Sequence, residues 1–136
     1  MKLKIGYKAL MDSAMEKIET LALDQAQKLL QDSNVVFVDI RDIRELEREG
    51  MIPGALHAPR GMLEFWVDPE SPYYKPIFGE GKRLVLYCAS AWRSALATKT
   101  LQDMGLPHVC HLEGGFSAWK QANLPVAEKV AKSSKT

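Results

Sequence analysis

Cysteine is scarce in this chain of 136 residues, which contains only Cys88 and Cys110. Two cysteines are too few for a disulfide framework, and they lack the paired Cys-x-x-Cys spacing of a structural zinc site. We therefore expect a protein of a reducing compartment.

An excess of charge of one sign and long hydrophobic runs are also lacking. Lys and Arg number 18 against 17 Asp and Glu, so the net charge of +1 gives no electrostatic reason to expect a nucleic acid or an acidic surface as partner. Residues 1–19 carry charges throughout and contain no apolar run that could form a signal-peptide core or cross a bilayer. We expect a soluble, cytoplasmic protein that binds neither nucleic acid nor membranes.

Apolar material is present in the amount that one compact domain needs, since 46% of the residues are hydrophobic. Apolar runs predict five short strands, at Ile18–Leu21, Val35–Asp39, Ala55–Ala58, Leu84–Cys88 and Val109–Leu112. Helical patterns alternate with these runs. We therefore expect an α/β fold with a central, mainly parallel five-stranded sheet and helices on both faces.

Helix signals fall between the predicted strands. Asp42 and Glu45 have the spacing of a capping box at the start of a helix. The patterns predict helices over residues 24–31, 42–49 and 93–104, and a further amphipathic helix within residues 1–16. We accordingly expect an N-terminal helical extension at residues 1–17, a main domain at 18–125 and a polar, frayed C-terminal tail at 126–136.

Residues 59–81 are rich in Pro and Gly and carry several aromatic side chains. This composition indicates a long ordered excursion over one end of the sheet, or a surface loop with a small core of its own.

The segment most informative about chemistry is LVLYCASAWRSALA, in which an apolar strand ends at Cys88 and a helix begins near Arg93. In an open parallel sheet, ligands bind beyond the carboxyl ends of the strands, where Cys88 falls. The backbone amides of residues 89–94 can curl around the sulfur, and the start of the helix adds partial positive charge. These groups favour the thiolate, so we expect Cys88 to be a nucleophile near neutral pH.

Three other segments carry short motifs: Val38-Asp39-Ile40-Arg41, Met51–Ala55 and Gly114–Trp119. They are similar to the Asp-Val-Arg, His-Ile-Pro-Gly-Ala and Gly-Gly-x-x-x-Trp motifs of the rhodanese family. Together with the cysteine loop, they make the chain resemble that family over residues 18–125. The resemblance implies a single rhodanese-like domain.

The active-site pattern of many rhodaneses, Cys-x-x-Gly-x-Arg-Ser, is similar to Cys88, Ala91, Arg93 and Ser94, with Ala91 in place of the glycine. If that position requires a positive φ, alanine adds about 1 kcal/mol of local strain. The resemblance implies a sulfurtransferase in which Cys88 takes sulfane sulfur from a donor such as thiosulfate and becomes a persulfide. The sulfur then passes to a thiophilic acceptor, which is cyanide, a small thiol or a protein, and the cycle needs no metal or other cofactor.

Loop length separates this activity from two alternatives. Four residues lie between Cys88 and Arg93, whereas related dual-specificity phosphatases and arsenate reductases resemble Cys-x5-Arg. A shorter ring suits one sulfur atom better than a tetrahedral oxyanion. Phosphatase or arsenate reductase activity is the second hypothesis. A non-catalytic partner-binding module is the third, and the presence of Cys88 argues against it.

The expected substrate-binding residues are those of the loop and the first helical turn: Ala89, Ser90, Ala91, Trp92, Arg93 and Ser94. Either serine hydroxyl can hydrogen-bond the sulfur or the donor; Ser94 is favoured, although it can instead stabilise the helix start. Arg93 either binds an anionic donor or pairs with a carboxylate such as Asp39 and braces the loop. Both roles of Arg93 stay open.

Bulky and charged neighbours complete the expected site. Trp92 is expected to form an apolar wall with Phe65 and Trp66 that shields a persulfide from water, or else to serve ordinary packing. Asp39 and Arg41 follow the second strand at the same sheet edge as Cys88. We expect them to support the site as a structural salt bridge.

The remaining titratable candidates are expected to be structural. His57, His108 and His111 show no metal-ligand spacing, and a preformed thiolate needs no general base. Cys110 lies within an apolar strand, which predicts a buried inert thiol rather than a second carrier in a persulfide relay.

Overall fold

The computed structural model describes residues 1–130, in which helices and strands alternate along the chain. In chain order the elements are α1 (Tyr7–Lys17), β1 (Glu19–Leu21), α2 (Leu23–Lys28), β2 (Val35–Asp39), α3 (Ile43–Glu49), β3 (Leu56–His57), α4 (Leu63–Val67), β4 (Arg83–Tyr87), α5 (Trp92–Asp103), β5 (Val109–Leu112) and α6 (Gly115–Gln121). Short 3-10 turns at Arg60–Met62 and Pro76–Gly79 flank α4. The predicted capping box is confirmed, because the side chains of Asp42 and Glu45 cap the start of α3.

The five strands form one sheet in the order β1-β5-β4-β2-β3, and every pair of neighbouring strands is parallel. This confirms the predicted fold class. The central strands β4 and β2 are nearly continuous apolar runs, as expected for parallel strands covered on both faces. Their carboxyl ends meet at one edge of the sheet, where Asp39 lies in register with Tyr87.

Side chains alternate between the two faces of β4 and define two cores. Leu84, Leu86 and Cys88 belong to a cluster that also contains buried residues of α5. Val85 and Tyr87 belong to the opposite cluster, which contains buried residues of α2 and α6. Because successive residues of a strand point to opposite faces, Cys88 faces the α5 side of the sheet.

The excursion at residues 59–81 packs into the main core. Leu63, Val67 and Phe78 are buried in the same cluster as Leu84 and Leu101. The prediction of an ordered excursion is confirmed, and the alternative of a loop with a separate small core is wrong. The excursion covers apolar surface that the sheet and α5 leave open.

The N-terminal extension forms the predicted helix, α1, which packs against α5. Ala14 is buried there, and the Gln102 side chain donates a hydrogen bond to the Lys17 carbonyl at 2.9 Å. At the other end, Ala127 exchanges two backbone hydrogen bonds with Met51, at 2.7 and 2.9 Å. The expectation of a frayed tail is therefore wrong at Ala127, and its last part, residues 131–136, lies outside the described residues.

Three helices differ from expectation. Helix α2 ends at Lys28, earlier than predicted, and neither α4 nor α6 was predicted. Seven residues are too few to establish a helical period, and α6 opens on glycines that normally indicate a turn. Even the longest described helix, α5, has 12 residues, whereas spanning a bilayer takes about 20.

A buried ion pair lies at the end of β2, between its last residue, Asp39, and Arg41. The Arg41 guanidinium donates to both carboxylate oxygens of Asp39, with Nη2 at 2.7 Å from Oδ2, and also to the Gly50 carbonyl at 2.7 Å. Burial opposes the charge on Arg41, but the hydrogen bond and the charge of Asp39 raise the pKa of Arg41 above its usual value. The predicted structural salt bridge is present. It ties the end of β2 to the end of α3.

We predict that Arg41→Met lowers the free energy of unfolding by about 3 kcal/mol, because it leaves the Asp39 carboxylate buried without a partner. Urea denaturation measures the change. Arg44→Met is the matched control, since Arg44 pairs with Asp42 on the exposed surface, where an ion pair contributes little. Equal destabilisation by the two substitutions would contradict the role given to the buried pair.

Candidate active site

The chain turns from β4 into α5 through residues 88–91. Ala91 makes this possible by adopting a left-handed conformation, with φ 77° and ψ −1°. This is the position at which the sequence carries alanine where glycine was expected. The anticipated positive φ is confirmed, so the turn holds a strained alanine.

The sulfur of Cys88 lies beneath this turn, and the residue is only 1% exposed. The Ser94 amide donates to Sγ at 3.4 Å, and the Ser94 hydroxyl oxygen lies 3.7 Å from the same atom. Among residues 1–130, no other backbone amide hydrogen-bonds the sulfur. The first turn of α5 therefore supplies one amide that donates to the sulfur, and Ser94 is the serine beside it. The expected cradle of several amides from residues 89–94 is wrong in the part of the chain that the structure describes.

The turn is held from behind by the start of α6. The Phe116 amide donates to the Cys88 carbonyl at 2.8 Å, and the Ser117 amide donates to the Ala89 carbonyl at 3.0 Å. A Cβ atom on Gly115 would lie 2.7 Å from both carbonyl oxygens, closer than a side chain tolerates. This close approach explains why the sequence has glycine there.

Arg93 leaves the loop toward α3. Its Nη1 and Nη2 atoms donate to the two carboxylate oxygens of Glu45 at 2.8 and 3.0 Å, a bidentate pair. The suggested pairing of Arg93 with Asp39 is wrong, because Arg41 already occupies that carboxylate. The Glu45 hydrogen bond raises the pKa of Arg93, and Arg93 in turn holds the pKa of Glu45 below its ordinary value.

The aromatic surroundings of the loop also differ from expectation. The Trp92 ring stacks on Tyr7 of α1, with ring centroids 5.4 Å apart, and both side chains are more than half exposed. Phe65 is exposed, and Trp66 lies under the Lys75 ammonium at 4.8 Å. An aromatic wall of Trp92 with Phe65 and Trp66 is thus not what the structure forms. The loop instead contacts the N-terminal helix.

His111 is the histidine that reaches the site. Its Nδ1 lies 3.1 Å from Ser94 Oγ, and its Nε2 lies 3.0 Å from Thr20 Oγ1. His57 bonds the Arg41 carbonyl at 2.7 Å, as expected of a structural residue. The expectation that all three histidines are structural did not include this contact of His111 with Ser94. The signal was the alternation of β5, which puts His111 on the face opposite to Cys110.

Cys110 lies on the other side of the sheet from Cys88. It belongs to the core cluster of α2 and α6, is fully buried, and burial raises its pKa to about 11. A thiol in this environment stays protonated near neutral pH. These features favour the inert thiol over a relay partner.

A match to a known family covers most of this architecture. The family model for the rhodanese-like domain matches residues 22–122, from the start of α2 to the end of α6. The chain belongs to the rhodanese-like domain family. The five-stranded parallel sheet, with the Cys88 turn at the carboxyl end of β4, is therefore a rhodanese-like fold.

Two curated proteins are similar to the chain over most of its length. An uncharacterized protein of Synechocystis sp. is 36% identical over 118 residues, a match that covers 87% of this chain. The match spans 61% of that relative's own length, so the relative carries further sequence. A protein of Allochromatium vinosum, named a sulfurtransferase, is 33% identical over 101 residues and is matched over 86% of its length, with 74% of this chain covered.

A solved structure from Rhodopseudomonas palustris CGA009 superposes with a TM-score of 0.89 and is 55% identical. The match covers 93% of this chain and 97% of the other. That protein is described as one of unknown function and a possible tyrosine phosphatase.

We predict that Ala91→Gly raises the free energy of unfolding by about 1 kcal/mol, because glycine adopts φ 77° without strain. Urea denaturation measures it. Ala122→Gly is the control, since exposed Ala122 ends α6 with φ −84° and should lose stability through the greater entropy of an unfolded glycine. Destabilisation by both substitutions would refute strain at Ala91.

Proposed function

We propose that this rhodanese-like domain is a sulfurtransferase in which Cys88 carries sulfane sulfur as a persulfide. The observation that carries the proposal is the geometry of the turn: a buried sulfur, the Ser94 amide and hydroxyl beside it, and four residues between Cys88 and Arg93. This arrangement supports a stabilised thiolate in a ring sized for a sulfur atom.

The proposed cycle has two displacements. The Cys88 thiolate attacks the outer sulfur of a donor such as thiosulfate, the donor's S–S bond breaks, and sulfite leaves with the electron pair. An acceptor, which is cyanide, a thiol or a protein thiolate, then attacks the outer sulfur of the persulfide. The Cys88 thiolate leaves, so the enzyme returns to its starting state.

The remaining residues have supporting roles in this proposal. Residues 89–94 surround the bound donor, with the Ser94 amide and hydroxyl on the sulfur. Arg93 is braced by Glu45, and we propose that its exposed edge also guides an anionic donor. Asp39 and Arg41 hold the end of β2 beside the turn. No step needs a metal or an organic cofactor.

Sulfur transfer is also the activity named for the Allochromatium vinosum relative, at 33% identity. Phosphatase activity is the second candidate, since it is the suggestion attached to the Rhodopseudomonas palustris structure at 55% identity. The size of the ring decides between them in our proposal. A phosphoryl group requires amides that converge on three oxygens, and a loop one residue shorter offers fewer of them.

We predict that incubation with thiosulfate adds one sulfur atom to Cys88 and that cyanide removes it. Intact-protein mass spectrometry with peptide mapping detects the adduct. Cys88→Ser should abolish it, whereas the matched control Cys110→Ala should retain it, because Cys110 is buried on the opposite face. A sulfur that maps to Cys110, or an adduct on the Cys88→Ser protein, would refute the mechanism.

We further predict that the native protein transfers sulfur and does not hydrolyse aryl phosphates. Inserting one glycine between Ala91 and Trp92 gives the phosphatase spacing and adds a residue that tolerates positive φ. Oxyanion affinity should rise and sulfur transfer should fall. Protection of Cys88 from alkylation by phosphate or arsenate measures the first, and thiosulfate-dependent transfer measures the second.

The contrary results are equally specific. If the correctly folded insertion variant shows unchanged protection, ring size does not select the chemistry. If the native protein hydrolyses aryl phosphates faster than it transfers sulfur, the phosphatase becomes the preferred function.

A further inference from the structure

A continuous line of polar side chains leads away from the Cys88 sulfur. Ser94 Oγ lies 3.7 Å from Cys88 Sγ, His111 Nδ1 lies 3.1 Å from Ser94 Oγ, and Thr20 Oγ1 lies 3.0 Å from His111 Nε2. Cys88, Ser94 and His111 are buried, whereas Thr20 is exposed. The line therefore joins a buried sulfur to the protein surface at the edge of the sheet.

The register of the sheet creates this line. His111 pairs with Thr20 of β1 on one side and with Leu86 of β4 on the other. Residues in register point to the same face, and Leu86 shares its face with Cys88, two positions later. His111 and Thr20 therefore lie on the α5 side of the sheet, within reach of the first turn of α5.

The His111 ring is kept neutral by its surroundings. Burial lowers its pKa below the ordinary value for histidine. On neighbouring elements, Glu19 pairs with Arg83 at 2.6 Å and Arg93 pairs with Glu45 at 2.8 Å, so these four charges are balanced within their own pairs. A neutral imidazole has one donor and one acceptor nitrogen, so it transmits hydrogen-bond direction from Ser94 to Thr20.

We propose that His111 is a positioning residue that orients the Ser94 hydroxyl toward Cys88, and that the tautomer of His111 follows the charge on the Cys88 sulfur. The proposal deepens the function proposed above, because the thiolate that it supports is the proposed sulfur carrier. It assigns His111 and Thr20 to the site, although neither contacts the sulfur.

Two hydrogen-bond directions are available along the line. When Cys88 is a thiol, S–H donates to Ser94, Ser94 O–H donates to Nδ1 of His111, and Nε2–H donates to Thr20. When Cys88 is a thiolate, Ser94 O–H donates to the sulfur, Nδ1–H donates to Ser94, and Thr20 O–H donates to Nε2. Each proton moves by one hydrogen bond, and one proton leaves to solvent at Thr20.

This coupling gives a spectroscopic signature in the native protein. Nitrogen-15 NMR of labelled histidine distinguishes Nδ1–H from Nε2–H tautomers. We expect His111 to change from the Nε2–H to the Nδ1–H form as Cys88 ionises. Cys88→Ala should remove the change. The exposed His108 serves as an internal control and should show no dependence on Cys88. An unchanged His111 tautomer across the ionisation of Cys88 overturns the proposal.

The second measurement is the pH profile of Cys88 alkylation by iodoacetamide, with the site confirmed by peptide mapping. Alkylation reports the thiolate fraction. His111→Leu removes the acceptor and donor for Ser94, so the rate at pH 7 should fall about tenfold and the profile should move to higher pH. His111→Asn retains an amide that can donate to Ser94 and should restore most of the rate. His108→Asn is the matched control.

A double variant separates positioning from packing. In a Ser94→Ala background, His111→Leu should cause no further loss of alkylation rate, because His111 acts through the Ser94 hydroxyl. Multiplied losses in the double variant would overturn the proposal. If His111→Leu does not fold, the NMR experiment and the His111→Asn profile still decide.

The outcome is distinguishable from failure of the proposed function, because neither measurement uses a sulfur donor. If the His111 tautomer responds to Cys88 but the protein takes no sulfur from thiosulfate, the sulfurtransferase function is refuted and the positioning role of His111 stands. If the protein forms the Cys88 persulfide but the His111 tautomer does not respond to Cys88, only the proposed role of His111 is refuted.

Discussion

The contact between the cysteine turn and the start of α6 is the constraint on which the rest of the site depends. A chain that leaves a parallel strand and enters a helix within four residues exposes carbonyl groups that need partners. The Phe116 and Ser117 amides supply them for Cys88 and Ala89, and only glycine at position 115 lets the two backbones come so close. These hydrogen bonds from α6 fix the backbone of the turn, and in this conformation the Ser94 amide lies 3.4 Å from the Cys88 sulfur.

Much of the fold could be predicted because the informative signals are local. The strands at Val35–Asp39 and Val109–Leu112 have the predicted bounds, since each is a short apolar run with polar or turn residues beside it. The capping box at Asp42 and Glu45 likewise depends on residues three positions apart. Helix α6 escaped prediction because it is short and its structure follows from the turn that it supports, a contact between segments distant in sequence.

The residues of the site also divide into those close to Cys88 in sequence, which could be predicted, and those distant from it, which could not. The strand, turn and helix around Cys88 are contiguous, so the position of the sulfur and the positive φ of Ala91 could be anticipated. The contributions of Glu45 and His111 could not be anticipated, since both residues are distant from Cys88 in sequence. They approach the site only because β2 and β5 are the neighbours of β4 in the sheet. Glu45 lies 48 positions before Arg93. Its role in the capping box of α3 already explained its presence in the sequence, so nothing there pointed to a second role at Arg93. Knowledge of which strand adjoins β4 is what brings His111 to Ser94.

The pairing of Arg93 with Glu45 bears on which substrates the turn favours. Both terminal nitrogens of the guanidinium donate to a carboxylate, so a phosphate dianion would have to displace that carboxylate or share its charge partner. In the proposed cycle the thiosulfate donor is also a dianion and meets the same paired guanidinium, but the negative charge on Cys88 itself lies next to the Ser94 amide and hydroxyl. The Ser94 groups that can stabilise negative charge thus lie beside the cysteine sulfur, whereas the charge of the Arg93 guanidinium is partly neutralised by Glu45. Within the proposed function, ring size is therefore the feature that favours sulfur chemistry over phosphoryl chemistry, whereas the pairing of Arg93 limits the support for any dianionic substrate.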